Sequence, residues 1–555
     1  MPTHGPIDAL PTHRVQNVPE VLEDYDLFAT DPGLRAAVAR EGGEWALQPC
    51  AQLGARIGTA ECFALGAAAN QHGPQLRAFD RYGRRIDEVE FHPAYHALMG
   101  LAIEHRVPSI AWTEKRKGAH VAHAALGYLF TQVEAGVLCP MAMTYAAVPA
   151  LRVQPELAAI WEPKMLSGRY DPRCIPVADK HGATFGMAMT EKQGGSDVRA
   201  NTTRARAIDG GGPGTAYLLT GHKWFCSAPM SDAFLTLAQT DRGLSCFLVP
   251  RFRPDGTRNN FFIQRLKDKL GNRSNASSEI EYVDTWAQLV GEEGRGVATI
   301  IEMVHHTRID AAVAPVGMMR QAVVQAIHHC SGRAAFGRTL VDQPLMTRVL
   351  ADLVIEVEAA TVLAMRVSRA FDEADTDDDA RAFARLATAV TKYWINKRAP
   401  GHIVEALECH GGAGYIEENP LSRLYREAPL NSIWEGSGNV ICLDVLRTLA
   451  REPAALQLVL AEMRPAAAVR PELATHLQRI EATLASGALE IHARALVQDL
   501  AVGLEAALMV MHGEPAIADA FCRTRLGTEP PAVYGKLPAD VDAAAIVARA
   551  QVRPR

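Results

Sequence analysis

One block of the chain, from about residue 181 to residue 295, differs in texture from everything around it. It is built of short runs rich in Val, Ile, Leu and aromatic residues: "TAYLLTGHKWFCSA", "AFLTLAQT", "LSCFLVPRF", "NFFIQRL" and "SSEIEYVDTWAQLV". Gly, Pro, Asn and Asp separate them, so each run predicts a strand. Strands gathered into one block exclude the alternating strand–helix order of a parallel α/β sheet. A block of this size is a small barrel or sandwich.

The flanks carry helical periodicity. "EVEFHPAYHALMGLAIEHR" and "HVAHAALGYLFTQVEAG" show long apolar faces before the block. Helices return near Val297, and Met346, Leu350, Leu353, Val354 and Val357 share one face. The acidic run Asp372 to Asp379 predicts a solvated loop. From about Arg451 the chain is Ala-rich and helical, ending in a Pro-punctuated tail. At 555 residues the chain exceeds one core. The expected units are an N-terminal helical domain (1–180), a β domain (181–295), a helical bundle (296–450) and a C-terminal helical extension (451–555).

A formal net charge of -6 argues against a chain-wide field for nucleic acid. Ten scattered cysteines without a C-x-x-C pair predict reduced thiols, a cytoplasmic protein and no zinc framework. The first twenty residues lack a basic-then-apolar leader pattern. The longest uncharged apolar stretch, Ala135 to Leu151, contains Pro140 and Pro149 and predicts a buried helix rather than a membrane span. His305–His306 and His328–His329 are adjacent pairs whose members face different sides of a helix, so packing or surface roles are expected and no metal site.

The stretch "MTEKQGGSD", Met189 to Asp197, follows an apolar strand. It lacks the spacing of a dinucleotide fingerprint and the Lys-hydroxyl pair of a P-loop. Gly194 and Gly195 allow a turn whose bare N–H groups can approach a phosphate or a planar ring. An ordinary polar turn fits the nonapeptide equally well.

Five motifs in order decide more than any one. They are "TEKQGGSD", "GHKWFCSA", "RAAFG" (Arg333 to Gly337), "ECHGGAGY" and "WEGS" (Trp434 to Ser437). In this order they resemble the acyl-CoA dehydrogenase superfamily of flavoproteins, over roughly residues 20 to 450. Lys192, Phe225, Ser227, Glu408 and Trp434 depart from the family's usual residues. Together with "LKDKLGNRSNASSE" and the long extension, these departures resemble the AidB branch, linked to the adaptive response to DNA alkylation. The resemblance implies a mainly α fold with a central β-barrel domain, FAD as cofactor, an acyl-CoA substrate and a homotetramer.

It also implies roles, residue by residue. Met187, Met189 and Thr190 would lie by the flavin ring and Ser196 by the pyrophosphate. Phe225 and Ser227 would cover one face, with the serine hydroxyl donating to the ring nitrogen that receives hydride. Trp434, Asn439 and the N–H groups of residues 436–439 would complete the site. Glu435 occupies the place of the family's catalytic base, and the simpler reading is a carboxylate favoured at a helix N-terminus. Arg333 would reach a neighbouring subunit's flavin, or form a surface salt bridge.

Two functions of different class follow. One is α,β-dehydrogenation of an acyl-CoA. The other is a flavoprotein that binds and protects double-stranded DNA. The extension holds eleven Lys and Arg against twelve Asp and Glu, so it is not a basic module. Basic residues are denser at Arg199, Arg204 and Arg206, and at Arg265, Lys267, Lys269 and Arg273, which are solvated faces or DNA contacts.

Overall fold

The structure, a computed structural model, describes residues 7–527 and 531–553. The first six residues, and Pro530 and Pro554 of the Pro-punctuated tail, lie outside the described residues. The β block closes into a barrel. Ala216–Ser227 pairs with Arg204–Ala207, which meets Ala233–Thr240 in parallel through Arg204 and Gln239. Ala233–Thr240 then pairs with Gly243–Pro250, that strand with the end of Ser277–Val290, and Ser277–Val290 with Ala216–Ser227. Phe185–Ala188 and Phe261–Leu266 extend the sheet outside this five-strand ring.

Closure requires Ser277–Val290 to serve two partners. Its register breaks between Ser278 and Ile280 and between Tyr282 and Thr285, with Asp284 at φ 48°. Such bulges bend a strand and increase its twist, which turns it from one neighbour to the next. The runs "AFLTLAQT" and "LSCFLVP" are buried almost throughout rather than alternating. One face, with Phe234, Phe247 and Val249, fills the barrel. The other, with Leu235, Leu237 and Leu248, joins the helical core. Two-sided burial removes the period of two.

The helix Gly296–Gly332 runs 37 residues, about 55 Å at 1.5 Å per residue. It crosses the barrel's covered face and packs on Ala119–Thr131, Leu138–Arg152, Pro344–Glu373 and Asp378–Glu408. Leu138–Arg152 is the buried helix over the apolar stretch.

Two expectations are corrected. The first segment is not wholly helical: Gln75–Phe79 and Arg85–Glu90 form an antiparallel hairpin. It leans on the barrel through Asp87, which accepts from Ile263 N–H at 2.8 Å. The turn "DRYGR" between two short alternating runs is its signal. The acidic run is not one solvated loop either. The helix Pro344–Glu373 extends into it, and the next begins at Asp378. Asp372 instead accepts from His120 N–H at 2.8 Å, holding the start of the helix Ala119–Thr131. A carboxylate gains by meeting the free N–H groups of a helix start.

The extension is five helices: Pro453–Ala467, Pro471–Ala485, Leu489–His512, Pro515–Arg525 and Ala543–Ala550. Three open on proline, whose fixed φ suits the first helical position. Leu489–His512 is long and apolar enough to cross a membrane, and two thirds of its most apolar window is buried within the protein. Buried ion pairs fasten the extension to the bundle. Arg525 meets Asp352 at 2.5 Å and Glu356 at 3.0 Å, and Arg398 meets Glu356 at 2.7 Å.

Candidate functional site

The turn after Phe185–Ala188 is held from beneath. Glu191 and Gly194 exchange both backbone hydrogen bonds, and Gly194 sits at φ 153°. A Cβ on Gly195 would stand 2.6 Å from Thr190 Oγ1, so only glycine lets the chain fold back there. Above Gly194 a Cβ would meet nothing within 4 Å, so the space beside exposed Ser196 is open. Met189 O accepts from Asn201 Nδ2 at 2.9 Å, and Thr190 O accepts from Trp224 N–H at 2.8 Å.

Glu191 is the residue the motif reading left without a role. It is fully buried and meets Lys223 Nζ at 2.9 Å, itself fully buried. It also accepts from the N–H groups of Thr202 and Thr203, and Lys223 donates to Leu237 O. Burial pushes the Glu191 carboxyl up, and the Lys223 charge with these donors overcomes it, leaving about 2. The acidic residue of one motif and the lysine of the next thus form one brace.

Phe225 and Ser227 lie at the end of Ala216–Ser227. Phe225 is 47% exposed, a large apolar ring on an open shelf. Lys267 Nζ sits 3.2 Å from the Trp224 ring centroid and 4.7 Å from that of Phe225. Ser227 Oγ lies 3.3 Å from Ser277 Oγ, which accepts from Lys269 Nζ at 3.0 Å. The second basic stretch is therefore only in part a solvated face: its lysines turn inward and its arginines stay exposed. Lys269 is half-buried and bonded to Asn275 O, while Lys267 and the exposed Arg265 share the Glu279 carboxylate. Of these four, Arg273 is exposed and bonded only to Lys269 O. Arg199, Arg204 and Arg206 are exposed.

Glu435 stands in the loop before the helix Gly438–Arg451, at φ 57°. A non-glycine residue there is strained by about 1–2 kcal/mol. Lys392 Nζ donates to the carbonyls on either side of it, Trp434 O at 2.8 Å and Gly436 O at 2.5 Å. Arg308 Nε donates to Glu435 O itself at 3.1 Å, and Arg308 pairs with Asp444 at 2.7 Å. The carboxyl oxygen Oε2 is shut off from solvent and has no hydrogen-bond partner among the described residues. Burial raises the Glu435 carboxyl above the usual range, against Thr307, Arg308 and Lys392, which lower it. A carboxyl raised in this way is suited to take a proton near neutral pH. Trp434 Nε1 donates to Asn431 Oδ1 at 2.8 Å, which fixes the indole next to Glu435 in the chain.

Cys139, at the start of the helix Leu138–Arg152, joins the two halves. Burial pushes its thiol up to about 12; Lys269, Asn275 and Ser227 pull it down, and the Glu435 charge pushes it up. The thiol thus feels the barrel's Lys269 and Ser227 and, more weakly, the charge of Glu435. Behind Glu435, Asp310 Oδ1 meets His123 Nε2 at 2.8 Å, and Asp310 Oδ2 has no partner. His306 packs with Trp112 and Tyr145, and His305 stacks on Phe371. No local sequence signal marks Cys139, Arg308, Asp310 or Lys392.

Asn439 is exposed and accepts from Arg494 Nη1 of the extension at 3.0 Å. Arg333 donates to Asn17 O at 2.9 Å and has no carboxylate partner among the described residues. Glu408 is exposed at its helix end. The open shelf at Phe225, the open space over Gly194 and the unpartnered Glu435 oxygen are the features here with room for a ring, an anion and a proton donor respectively.

Comparison with known proteins bears on the whole chain. Residues 17–172 match the adaptive response protein AidB N-terminal domain, 186–285 the acyl-CoA dehydrogenase middle domain, and 294–450 the acyl-CoA dehydrogenase C-terminal domain. A putative acyl-CoA dehydrogenase AidB from Escherichia coli is 45% identical over 93% of this chain and 95% of its own length. Among solved structures, Caenorhabditis elegans ACDH-11 in complex with C11-CoA superposes with a TM-score of 0.82 at 28% identity, covering 93% of each chain. A Bacillus anthracis acyl-CoA dehydrogenase complexed with FAD shares the fold, with a TM-score of 0.61 at 19% identity over 78% of this chain and 77% of that one. The chain belongs to the acyl-CoA dehydrogenase family, in its AidB-like branch.

Proposed function

We propose that the protein is an FAD-dependent acyl-CoA dehydrogenase in which Glu435 removes the α-proton of an acyl thioester. The observation that carries this is the Glu435 carboxyl, with its raised pKa and an oxygen left without a partner. FAD held there would supply the acceptor for the β-hydride, so that with the α-proton taken by Glu435 the substrate would lose two electrons and gain a C=C bond between its α and β carbons. The chain's own residues hold the parts. Ser196 and the turn N–H groups take the pyrophosphate; Met187, Met189, Thr190 and Phe225 bound the ring; the Ser227 hydroxyl donates to it. Trp434 narrows the acyl pocket. The acyl-CoA held by ACDH-11 supports the substrate class. Anaerobic titration with a panel of acyl-CoAs tests the reading: a competent substrate bleaches the oxidised flavin, and no bleaching with any of them, in the wild type and in Trp434→Tyr alike, refutes it.

The same reading extends to a homotetramer. Phe336 is wholly exposed at the tip of the hairpin 334–339, at φ 53°, with Leu345 and Tyr415 exposed as well. A phenyl ring held out in a strained turn is suited to insertion into another subunit, where Arg333 would approach a neighbouring flavin. Light scattering of wild type and Phe336→Ser decides it, the variant dissociating.

A second reading, association with double-stranded DNA, is favoured by the cluster of exposed arginines Arg199, Arg204 and Arg206, with Arg273 exposed as well.

A further inference from the structure

We infer that Lys392 is a positioning residue for Glu435, fixing the peptide on either side of the base so that its carboxyl stays at the acyl pocket; this rests on the reading of Glu435 as the base. Lys392 is almost wholly buried, in the middle of the helix Asp378–Glu408. Burying an ammonium costs free energy unless its donors are well used. Here they are aimed at Trp434 O and Gly436 O, with Arg308 Nε at Glu435 O between them. Three successive carbonyls are thus drawn toward two buried cations. The segment they hold is strained, with Glu435 at φ 57° and Gly436 at φ 109°. Strain of this kind persists only where the surroundings over-determine it. Lys392 supplies two of the three donors, and it reaches them from a rigid helix rather than from the loop itself.

The charge matters as well as the bonds. Glu435 is faced by Arg308 and Lys392, by the Thr307 hydroxyl, by Asp310 from the long helix and by Cys139 from the helix Leu138–Arg152. Lys392 in turn is faced by Glu435, Arg308 and Lys397. Burial brings the Lys392 ammonium down to about 7, against the pull of Glu435. Removing this cation leaves the Glu435 carboxylate less stabilised, so its pKa must rise. A residue that only filled space would leave that pKa where it is.

The test uses the FAD-loaded protein as wild type, Lys392→Gln, Lys392→Arg and Glu435→Gln. The first readout needs no substrate: the infrared band of the protonated carboxyl that is missing in Glu435→Gln, titrated with pH. In Lys392→Gln its midpoint is expected to rise by about half a unit or more, as for loss of a neighbouring charge. The second is the rate of flavin bleaching by an active acyl-CoA, expected to fall about 10-fold or more while acyl-CoA affinity changes less than about 2-fold. Lys392→Arg keeps the charge but not the paired donor geometry, so the midpoint stays and the rate falls. A wild-type midpoint and rate in Lys392→Gln overturn the inference. If that variant does not fold, a wild-type rate in Lys392→Arg overturns it. Bleaching at the wild-type rate by Glu435→Gln overturns the base reading instead, which separates the two failures.

Discussion

Glu191 and Lys223 meet at 2.9 Å with both side chains fully buried, and they tie the glycine turn to the strand that carries Phe225 and Ser227. The pair also receives two backbone N–H groups and reaches one backbone carbonyl, so each charge is surrounded by partners. Breaking such a pair leaves one buried charge uncompensated. Glu191→Gln or Lys223→Met is therefore expected to lose about 3–5 kcal/mol of stability, and the double variant less than the sum. Denaturant titration measures it. A loss below about 1 kcal/mol in both single variants would show the pair to be dispensable. The Glu191 pKa, held down to about 2, adds an acid dependence. Its contribution is whole above the ordinary glutamate range and drains away as pH falls through about 2.

Ser196 is exposed on the turn, beside the open space over Gly194. Ser196→Asp would place a carboxylate against the flavin pyrophosphate. Like charges about 4 Å apart repel by about 4 kcal/mol at an effective dielectric of about 20. The variant is expected to purify without flavin and to fold normally. A yellow, fully loaded preparation would remove Ser196 from the phosphate site.

Asp372 behaves in the opposite sense to Glu191. Burial raises its carboxyl to about 7, although the His120 and Val121 N–H groups pull it down. Its folded pKa lies above its unfolded one, so its contribution is complete below about 4 and is lost as pH rises through about 7. Asp372→Asn keeps an oxygen acceptor for the helix start without a charge. Its melting temperature is expected to vary less than wild type between about pH 5 and 8. Parallel curves for the two proteins would show that Asp372 does not titrate in this range.

These residues mark where the sequence is legible. The switch from helix to strand and back appears as a change of composition, because each run carries its own propensity. The barrel's closure does not, because it depends on two bulges in Ser277–Val290 and on one parallel contact between Arg204 and Gln239. Glu435 and the glycine turn stand out because chemistry fixes their local neighbours. Lys392 and Arg308 do not, since they reach the base loop from 42 and 127 residues away in the chain. Lys269 misleads for a related reason. A lysine in a basic run looks solvated, and only the fold shows it turned inward toward Asn275 and Ser277.

The DNA reading now has a narrower footprint. With Lys267 and Lys269 engaged inside the protein, and Arg265 held by Glu279, the clustered Arg199, Arg204 and Arg206 are the first candidates for phosphate contact, with Arg273 the remaining exposed cation of the second stretch. Replacing all three by Gln should weaken binding equally on unrelated duplexes and flatten its dependence on salt, by about one unit of log–log slope per lost contact. Binding that is insensitive to salt, or absent at low salt in the wild type, would remove this reading.

The chemistry itself turns on Glu435. Burial raises its carboxyl above the usual range, and one of its oxygens has no hydrogen-bond partner among the described residues. Glu435→Gln preserves shape and an acceptor oxygen but cannot take a proton. The variant is expected to fold and to keep its FAD. Its flavin bleaching by an active acyl-CoA should slow by about 10²–10⁴-fold, the range lost with a general base. In the wild type the rate should fall as pH drops below the raised Glu435 pKa, because only the ionised carboxylate accepts the α-proton. In the variant that acid limb should vanish along with the rate. DNA binding, if the wild type has it, should be unchanged, since one internal charge adds little to a screened surface field. A variant that bleaches at the wild-type rate ends the base assignment. A wild type that bleaches with no acyl-CoA, while its FAD is bound and Glu435 is in place, points to Trp434 as the side chain that closes the pocket. In that case Trp434→Tyr should restore bleaching.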